Sequence, residues 1–170
     1  MKLLFEIDTK DYDINGDAFI RPSVRSIIIR ENKVAMVHSI KYDYYKFPGG
    51  GMEAGESQID ALIRETREET GCIIIPDSIC EYGYVHRVQK GQKEAIFIQD
   101  NYYYLCDIES HVASQCLDDY EAEENFTLEF IEPKIAIRTN RENSHGLKDN
   151  HMLEREARVL ELLITDGILI

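Results

Sequence analysis

Apolar and polar positions cluster along the chain in a pattern that predicts several strands before and after one amphipathic helix. Residues 24–29 and 34–40 are rich in β-branched and apolar side chains, and Glu31-Asn32-Lys33 lies between them. This pattern predicts a hairpin of two antiparallel strands. The first two dozen residues, with a turn at Asn15-Gly16-Asp17, are interpreted as an edge strand or a hairpin. Further strands are predicted over residues 72–75, 79–88, 94–99, 102–108 and 126–131.

Helical spacing is clearest in the segment between Ser57 and Gly71. The apolar or small positions recur at steps of three and four, with Ser57 as N-cap and Gly71 as the stop signal. They are Ile59, Leu62, Ile63 and Thr66. A short helix is predicted to begin in residues 133–137, and a second long helix is predicted from residue 149 or 150 to about residue 165.

The polar side of the helix after Ser57 is strongly acidic. Glu65, Glu68 and Glu69 project from nearly one side of it, away from the apolar positions. Like charges at this spacing cost an isolated helix roughly 0.2–0.5 kcal/mol a pair, so a compensating partner is expected. Mg²⁺ prefers such hard oxygen ligands. The alternative is a solvated face on which Arg64 and Arg67 form ion pairs within the helix.

A glycine-dense loop, Phe47-Pro48-Gly49-Gly50-Gly51, runs into this helix and favours the metal-site interpretation. Gly50, five residues, Glu56, seven residues and then Arg64-Glu65-Thr66-Arg67-Glu68-Glu69-Thr70-Gly71-Cys72 resemble the Nudix box of the MutT-like hydrolases. The polar and glycine positions of that signature are all present. Thr66 and Cys72 stand where the family usually has a bulky aliphatic residue.

The resemblance implies a fold and a set of roles. The fold is α/β, a Nudix-type α/β/α sandwich with a mixed β-sheet, here as one domain over residues 1–170 with the box at 50–72. The metal ligands would be Glu65, Glu68, Glu69 and the Gly49 carbonyl, holding Mg²⁺ or Mn²⁺. Arg64 would orient the glutamates, with Gly50, Glu56 and Gly71 as structural support.

The implied reaction is hydrolysis of a phosphoanhydride bond in a nucleoside diphosphate linked to another moiety, such as a nucleoside triphosphate. One glutamate must accept a proton from the attacking water. The resemblance leaves open whether it belongs to the box, as Glu65 or Glu68 would, or to a later loop. Outside the box, Glu124 and Glu121 rank ahead of Glu123 because they precede the strand predicted at 126–131.

Substrate recognition is less defined by the sequence. Aromatic residues before the box, Tyr45 and Phe47 among them, are candidates for stacking on a base. Arg25, Lys46 and Arg87 are candidates for phosphate contacts. In each case a core or surface role is the competing interpretation.

Composition and charge restrict the kinds of binding partner and compartment that are expected. A formal net charge of -13 at pH 7 disfavours direct binding of a nucleic acid polymer or an anionic membrane, although a divalent ion can still bridge the protein to phosphate. No apolar run is long enough to span a bilayer and no secretory signal is recognised, so the cytoplasm is the expected compartment. The four cysteines lack metal or redox spacing and are expected to be buried or half-buried free thiols. Homodimers are common in similar proteins, but nothing in the sequence establishes one.

Two other functions compete with hydrolysis. One is a catalytically silent module of the same fold that senses a nucleotide, although such a module has no need of all three box glutamates. The other is a diphosphate isomerase, for which the chain shows no convincingly placed Cys, and it contains no Trp.

Overall fold

A computed structural model describes the side chains of residues 1–110 and 113–170 of the protein. The strands are β1 Leu3–Asp8, β2 Ala18–Ile20, β3 Ser23–Ile27, β4 Ile29–Arg30, β5 Lys33–Ser39, β6 Tyr44–Lys46, β7 Cys72–Ile74, β8 Cys80–Lys90, β9 Ile96–Leu105, β10 Ile108–Val112 and β11 Phe126–Ile131. The helices are α1 Gln58–Thr70, α2 Asp119–Glu123, α3 Pro133–Glu142 and α4 Asn150–Thr165.

The largest sheet is mixed. Its order is β1-β8-β9-β2, and β3 also pairs with β9. The pairs β1–β8, β2–β9 and β3–β9 are parallel, whereas β8 and β9 are antiparallel. A second sheet has the order β11-β5-β4, with β6 on the other part of β5, and β7 pairs with β10.

The strands lie between helices on two sides, and alternate residues of β5 show this. Met36 packs in a cluster with Leu160 of α4, whereas its neighbour Ala35 packs in a cluster with Leu62 of α1. Successive side chains of a strand point to opposite faces, so β5 is covered on both. The expected α/β/α arrangement with a mixed sheet is confirmed.

The hairpin prediction is right at its turn and wrong in its first strand. Glu31 and Asn32 both have positive φ, and β4 and β5 pair across them. The expected strand over 24–29 is divided at Ile28, because its first part, β3, pairs in parallel with β9 instead. Every residue of β3 is buried, so this strand is packed on both faces inside the fold and not in a two-stranded hairpin.

The strands expected over 94–99 and 102–108 form a single strand, β9, which ends at Leu105. Asp100 and Asn101 lie between the two predicted segments, and both are paired within the sheet. Asp100 contacts His86 at 2.7 Å, and the fully buried Asn101 accepts a hydrogen bond of 2.7 Å from Ser23 Oγ. Polar residues with partners can remain inside a sheet.

The remaining sequence predictions have mixed outcomes. α1, β11 and α4 lie where they were expected, and the acidic stretch after residue 117 contains the unexpected α2. All four cysteines are free, but Cys80 and Cys116 are exposed where burial was expected. In the described part of the chain, no helix combines the length and apolar character that a bilayer crossing requires.

Candidate active site

The glycine loop is fixed by the free edge of β3. Val24 N donates to the Gly50 carbonyl at 3.0 Å, and Ser26 N donates to the Pro48 carbonyl at 2.9 Å. A bridge between Ser23 and Gly51 continues this pairing. The glycine loop therefore pairs with β3 in place of the second strand of the predicted hairpin.

Two glycines allow close approaches in this loop. Gly49 has φ +131°, and a Cβ there would lie 2.1 Å from the Val24 carbonyl oxygen. A Cβ on Gly50 would lie 2.1 Å from Glu65 Oε2. The carboxylate of Glu65 can rest against the loop only because Gly50 has no side chain.

Both ends of α1 are capped by the residues that the sequence indicated. Ser57 Oγ accepts a hydrogen bond of 3.1 Å from Asp60 N at the start of the helix. At the end, Gly71 has φ +74° and donates to the Arg67 carbonyl at 2.8 Å. The caps fix which helix positions face the loop.

Arg64 connects the loop to the acidic face of α1. Its Nε and Nη2 donate to the two carboxylate oxygens of Glu56 at 2.8 Å each, and Nη2 also lies 3.3 Å from the Gly51 carbonyl. Its Nη1 donates to Glu65 Oε1 at 2.8 Å and to Glu68 Oε2 at 3.1 Å. The hydrogen bonds from Arg64 lower the pKa of Glu56 to about 2. One guanidinium thus relieves the repulsion between the neighbouring acids.

Glu69 is in a different environment. Its carboxylate is 1% exposed, accepts a hydrogen bond of 2.8 Å from Gly49 N, and forms an ion pair with Lys46. Burial raises the pKa of Glu69 to about 7, while Lys46 and Arg25 act in the opposite direction. Glu69 therefore joins α1 to both β6 and the glycine loop.

The donor set fits a divalent ion in its chemistry. Glu65, Glu68 and Glu69 offer carboxylate oxygens and Gly49 offers a carbonyl oxygen, which are the ligands that hard cations prefer. Glu65 and Glu68 already meet at one nitrogen of Arg64. Within residues 1–110 and 113–170, no three acidic, His or Cys side chains converge as a metal cluster. Arg64 pairs with Glu65 and Glu68, and Lys46 pairs with Glu69.

The two glutamates expected outside the box are both buried and both hydrogen-bonded. Glu121 belongs to the capping box of α2, accepting from Asp118 N at 2.9 Å and from Tyr120 Oη at 2.8 Å. Glu124 accepts from Ser39 Oγ at 3.1 Å and Tyr44 Oη at 2.8 Å, and pairs with Lys148. Glu123 is exposed and pairs with Lys41 at 2.5 Å.

A cleft of about 680 Å³ lies beside the box, between the β8–β9 hairpin and the start of α4. Arg25 of β3 lines this cleft and donates to the Gly49 carbonyl, so it connects the cleft to the glycine loop. Tyr120 lines the same cleft. Burial and the hydrogen bond to Glu121 raise the pKa of its phenol, Glu69 adds to this effect, and Arg25 acts in the opposite direction. The cleft and the acidic face of α1 are therefore neighbours.

The aromatic candidates before the box lie elsewhere. Phe47 is fully buried, with its ring 5.5 Å from that of Tyr103 in an edge contact. Tyr45 is buried and stacked on His38 at 4.3 Å between ring centroids. Neither residue lines the cleft, whereas Arg25 and Arg87, which the sequence suggested, do.

The sequence did not single out Arg155, Arg21 or Tyr120, which also line the cleft. Arg155 is 1% exposed on the buried face of α4, where it pairs with the fully buried Glu156. Glu156 carried a signal, since it falls three residues after Leu153 and four before Leu160 on the apolar side of the helix, whereas Arg155 falls outside that spacing. No comparable pattern marks Arg21 or Tyr120.

Comparison with known proteins agrees with the geometry of the box. The family model described as the NUDIX domain matches residues 20–146. This match includes the loop, α1 and the strands that hold them.

Individual proteins resemble this chain either in sequence or in fold. A protein named RNA pyrophosphohydrolase from Xanthomonas campestris pv. campestris (strain B100) is 37% identical over 67 residues, 39% of this chain and 31% of its own length. This chain thus matches about a third of the length of that relative.

Solved structures show the likeness of the fold. A NUDIX hydrolase from Nitrosomonas europaea has a TM-score of 0.58 at 17% identity, covering 83% of this chain and 90% of that one. A MutT structure from work on the Aliivibrio salmonicida and Vibrio cholerae proteins has a TM-score of 0.56 at 16% identity, covering 87% and 99%. Nudix hydrolases generally use divalent metal ions. With the family model matching most of its length, this chain belongs to the NUDIX family.

Proposed function

We propose that this protein hydrolyses a phosphoanhydride bond of a nucleotide, using Mg²⁺ or Mn²⁺ held by Glu65, Glu68, Glu69 and the Gly49 carbonyl. The observation that carries the proposal is the position of Arg64. Its guanidinium gathers Glu65 and Glu68 at one nitrogen while its other side is anchored by Glu56. A solvated acidic face has no need of such an anchor, because exposed ion pairs contribute little to stability.

The chemistry requires a bond to form and a bond to break. The oxygen of a water molecule bonds to one phosphorus, the bridging P–O bond breaks, and its electron pair leaves with the departing phosphate. A bound divalent ion supplies neutralisation of phosphoryl charge and acidifies water. The chain supplies the position of the substrate and a carboxylate that accepts the proton of the water.

Among the carboxylates outside the box, Glu121 is better placed than Glu124 to serve as that base. Besides Asp118 N, Glu121 accepts a hydrogen bond from Tyr120, which lines the cleft. Glu124 is instead directed to Ser39, Tyr44 and Lys148. The box glutamates Glu65 and Glu68 remain the alternative positions for the base.

RNA is a second candidate substrate because the relative from Xanthomonas campestris is named an RNA pyrophosphohydrolase. The acidic net charge argues against binding along a nucleic acid backbone. A cationic cleft beside the box is a local exception that can receive one phosphorylated end. Free nucleotides and RNA ends therefore belong in the same substrate panel.

The proposal is tested by measuring phosphate and pyrophosphate release from that panel with Mg²⁺, with Mn²⁺ and with EDTA. Turnover that requires a divalent ion and is lost in Glu65→Gln, while Glu142→Gln on the exposed end of α3 keeps it, supports the proposal. Folded protein that binds nucleotides but releases no product from any of them would favour the sensing module. Glu121→Gln and Glu124→Gln, compared in the same assay, distinguish the two candidate bases.

A further inference from the structure

The cleft beside the box concentrates positive charge in an acidic protein. Its lining carries six Lys or Arg side chains and two acidic ones, although the whole chain has 19 basic and 32 acidic residues. The basic residues are Arg21, Arg25, Arg87, Lys90, Lys93 and Arg155. Such a local reversal of sign favours an anionic ligand.

Three of these arginines are buried and come from three different elements. Arg25 of β3 is 8% exposed, Arg87 of β8 is 5% exposed, and Arg155 of α4 is 1% exposed. Burial and the nearby charges of Arg155 and Arg25 lower the pKa of Arg87 to about 10, while Glu156 acts in the opposite direction. Gathering buried like charges costs free energy, so the cluster needs a compensating anion.

Partners within the chain compensate only part of the cluster. Arg155 donates to Glu156 at 2.8 Å and to Asn101 at 2.7 Å. Arg87 forms an ion pair with Asp149, the N-cap of α4, and donates to Gln89 at 2.8 Å. Each of these two guanidiniums is therefore matched by one carboxylate.

Arg25 is the exception. It donates to the carbonyl of Gly49, which is neutral, and its Nε is buried without a hydrogen-bond partner in the described part of the chain. Burial raises the pKa of Glu65 and of Glu69, and the nearby positive charge of Arg25 acts in the opposite direction, but both glutamates belong to the acidic face of α1. A buried arginine with an unused donor lines the cleft next to the box.

We propose that Arg25, Arg87 and Arg155 form a seat for the terminal phosphate of a nucleoside 5′-polyphosphate. This inference rests on the proposed function of the same site and narrows its substrate class. An unesterified terminal phosphate carries about -1.5 to -2 charges at pH 7 and three acceptor oxygens. A phosphate that is esterified on both sides, as in a nucleotide sugar, carries less charge and fewer free oxygens. The oxygens of the former match the unused Nε donor of Arg25 and the positive charges of Arg87 and Arg155, whose Nε and Nη2 atoms already donate to Gln89 and Glu156.

The mouth of the cleft adds an apolar contribution. Phe19 and Phe97 line it with ring centroids 6.0 Å apart, and the guanidinium of Arg87 lies 5.8 Å from the centre of the Phe97 ring. A base can stack on such rings without sequence-specific hydrogen bonds. The same seat therefore accepts a free nucleotide or the 5′ end of a triphosphorylated oligonucleotide.

The test is calorimetric binding to the intact, metal-free protein in EDTA, which needs no catalysis. ADP and ADP-ribose are the matched probes, since they share the nucleoside and the diphosphate and differ in the free terminal phosphate. Inorganic tripolyphosphate is the probe without a base. We expect ADP to bind at least about tenfold more tightly than ADP-ribose, and Arg87→Gln and Arg25→Gln to weaken tripolyphosphate binding about tenfold or more.

Two further variants keep the result interpretable. Arg87→Lys retains the charge without the fork and is expected to bind tripolyphosphate more tightly than Arg87→Gln but less tightly than the natural protein. Arg138→Gln, on an exposed position of α3, is the matched control and leaves binding unchanged. Circular dichroism establishes that each variant is folded before binding is compared.

ADP-ribose binding as tight as ADP binding, or tripolyphosphate binding that is equal in folded Arg87→Gln and the natural protein, overturns the proposed seat. Turnover with Mg²⁺ is measured separately on a nucleoside triphosphate and a 5′-triphosphorylated oligonucleotide. Preference for either one over ADP-ribose supports the seat and identifies whether the terminal phosphate belongs to a free nucleotide or to an oligonucleotide. Discrimination in binding without turnover of any substrate leaves the seat in place and refutes the hydrolase function. Turnover of ADP-ribose in preference to both triphosphates refutes the seat alone.

Discussion

Arg64 holds Glu56 by both ends of its carboxylate, with Nε on Oε1 and Nη2 on Oε2, each at 2.8 Å. The same guanidinium also reaches Glu65 and Glu68. The orientation of the acidic face of α1 thus depends on a planar group that binds at several points. A point charge on a flexible stem cannot reproduce this arrangement.

Arg64→Lys is therefore expected to lower activity and metal affinity by about 10–100-fold while the protein remains folded. Titration with Mn²⁺ and turnover with Mg²⁺ measure the two effects. Arg138→Lys on α3 is the matched control. Activity of Arg64→Lys within twofold of the natural protein would show that the multiple hydrogen bonds of Arg64 are unimportant.

The Glu56–Arg64 pair predicts a specific dependence of stability on pH. The pKa of Glu56 falls from its ordinary value of 4.5 to about 2 in the folded state. A lowered carboxyl pKa stabilises the fold above the unfolded value, and this contribution is lost as the pH falls through the folded value. The difference in free energy of unfolding between the natural protein and Glu56→Gln should be constant above about pH 5.5 and shrink toward zero near pH 2. Urea unfolding across this range measures it, and a difference that does not change with pH contradicts the assignment.

Replacing Gly71 at the end of α1 is expected to destabilise the protein, and Gly55, which precedes the helix, provides the matched control. Both have positive φ, +74° and +80°, but a Cβ on Gly71 would lie 2.1 Å from the Ala113 carbonyl oxygen, whereas a Cβ on Gly55 meets nothing within 4 Å. Gly55→Ala is expected to cost about 1 kcal/mol through backbone strain alone. Gly71→Ala should cost more, since the loop at Ala113 must also move. Equal losses of unfolding free energy in the two variants would contradict a steric cost from the close approach to Ala113.

The buried pair of Lys46 and Glu69 should show strong coupling. Removing one partner of a buried ion pair typically costs about 3–5 kcal/mol, because the other charge is left unpaired. Lys46→Met is therefore expected to destabilise the metal-free protein by that amount at pH 8, and less at pH 5, where Glu69 can take up a proton. Adding Glu69→Gln to Lys46→Met should recover part of the loss at pH 8. Unfolding in urea with EDTA tests this, and a double variant that only adds two independent losses refutes the coupling.

Much of the fold followed from local pattern. The spacing of Leu62 and Ile63, the cap at Ser57 and the stop at Gly71 were enough to place α1, because helix signals are contained within the helix itself. The turn at Glu31 and Asn32 was likewise a local feature. The partner of β3 was not, since pairing with β9 joins residues that are more than 70 positions apart in the sequence. Non-local pairing of this kind leaves no periodic signal.

The candidate site likewise contains residues that local sequence predicts and residues that it does not. Glu65, Glu68, Glu69, Arg64 and Glu56 follow a fixed spacing and could be predicted together. Arg155 could not be connected with Arg25, because the two residues line the same cleft only after α4 packs on the sheet. Phe47 could not be placed either, since an aromatic residue beside a loop has the same sequence signature in a core as in a binding site.

A crystal soaked in Mn²⁺ shows whether the acidic face of α1 holds a divalent ion. Anomalous scattering by Mn²⁺ locates the ion directly. We expect a peak between the carboxylates of Glu65 and Glu68, within about 2.0–2.3 Å of at least one oxygen of each. A soaked crystal with Mn²⁺ bound elsewhere and no peak at these carboxylates would contradict it.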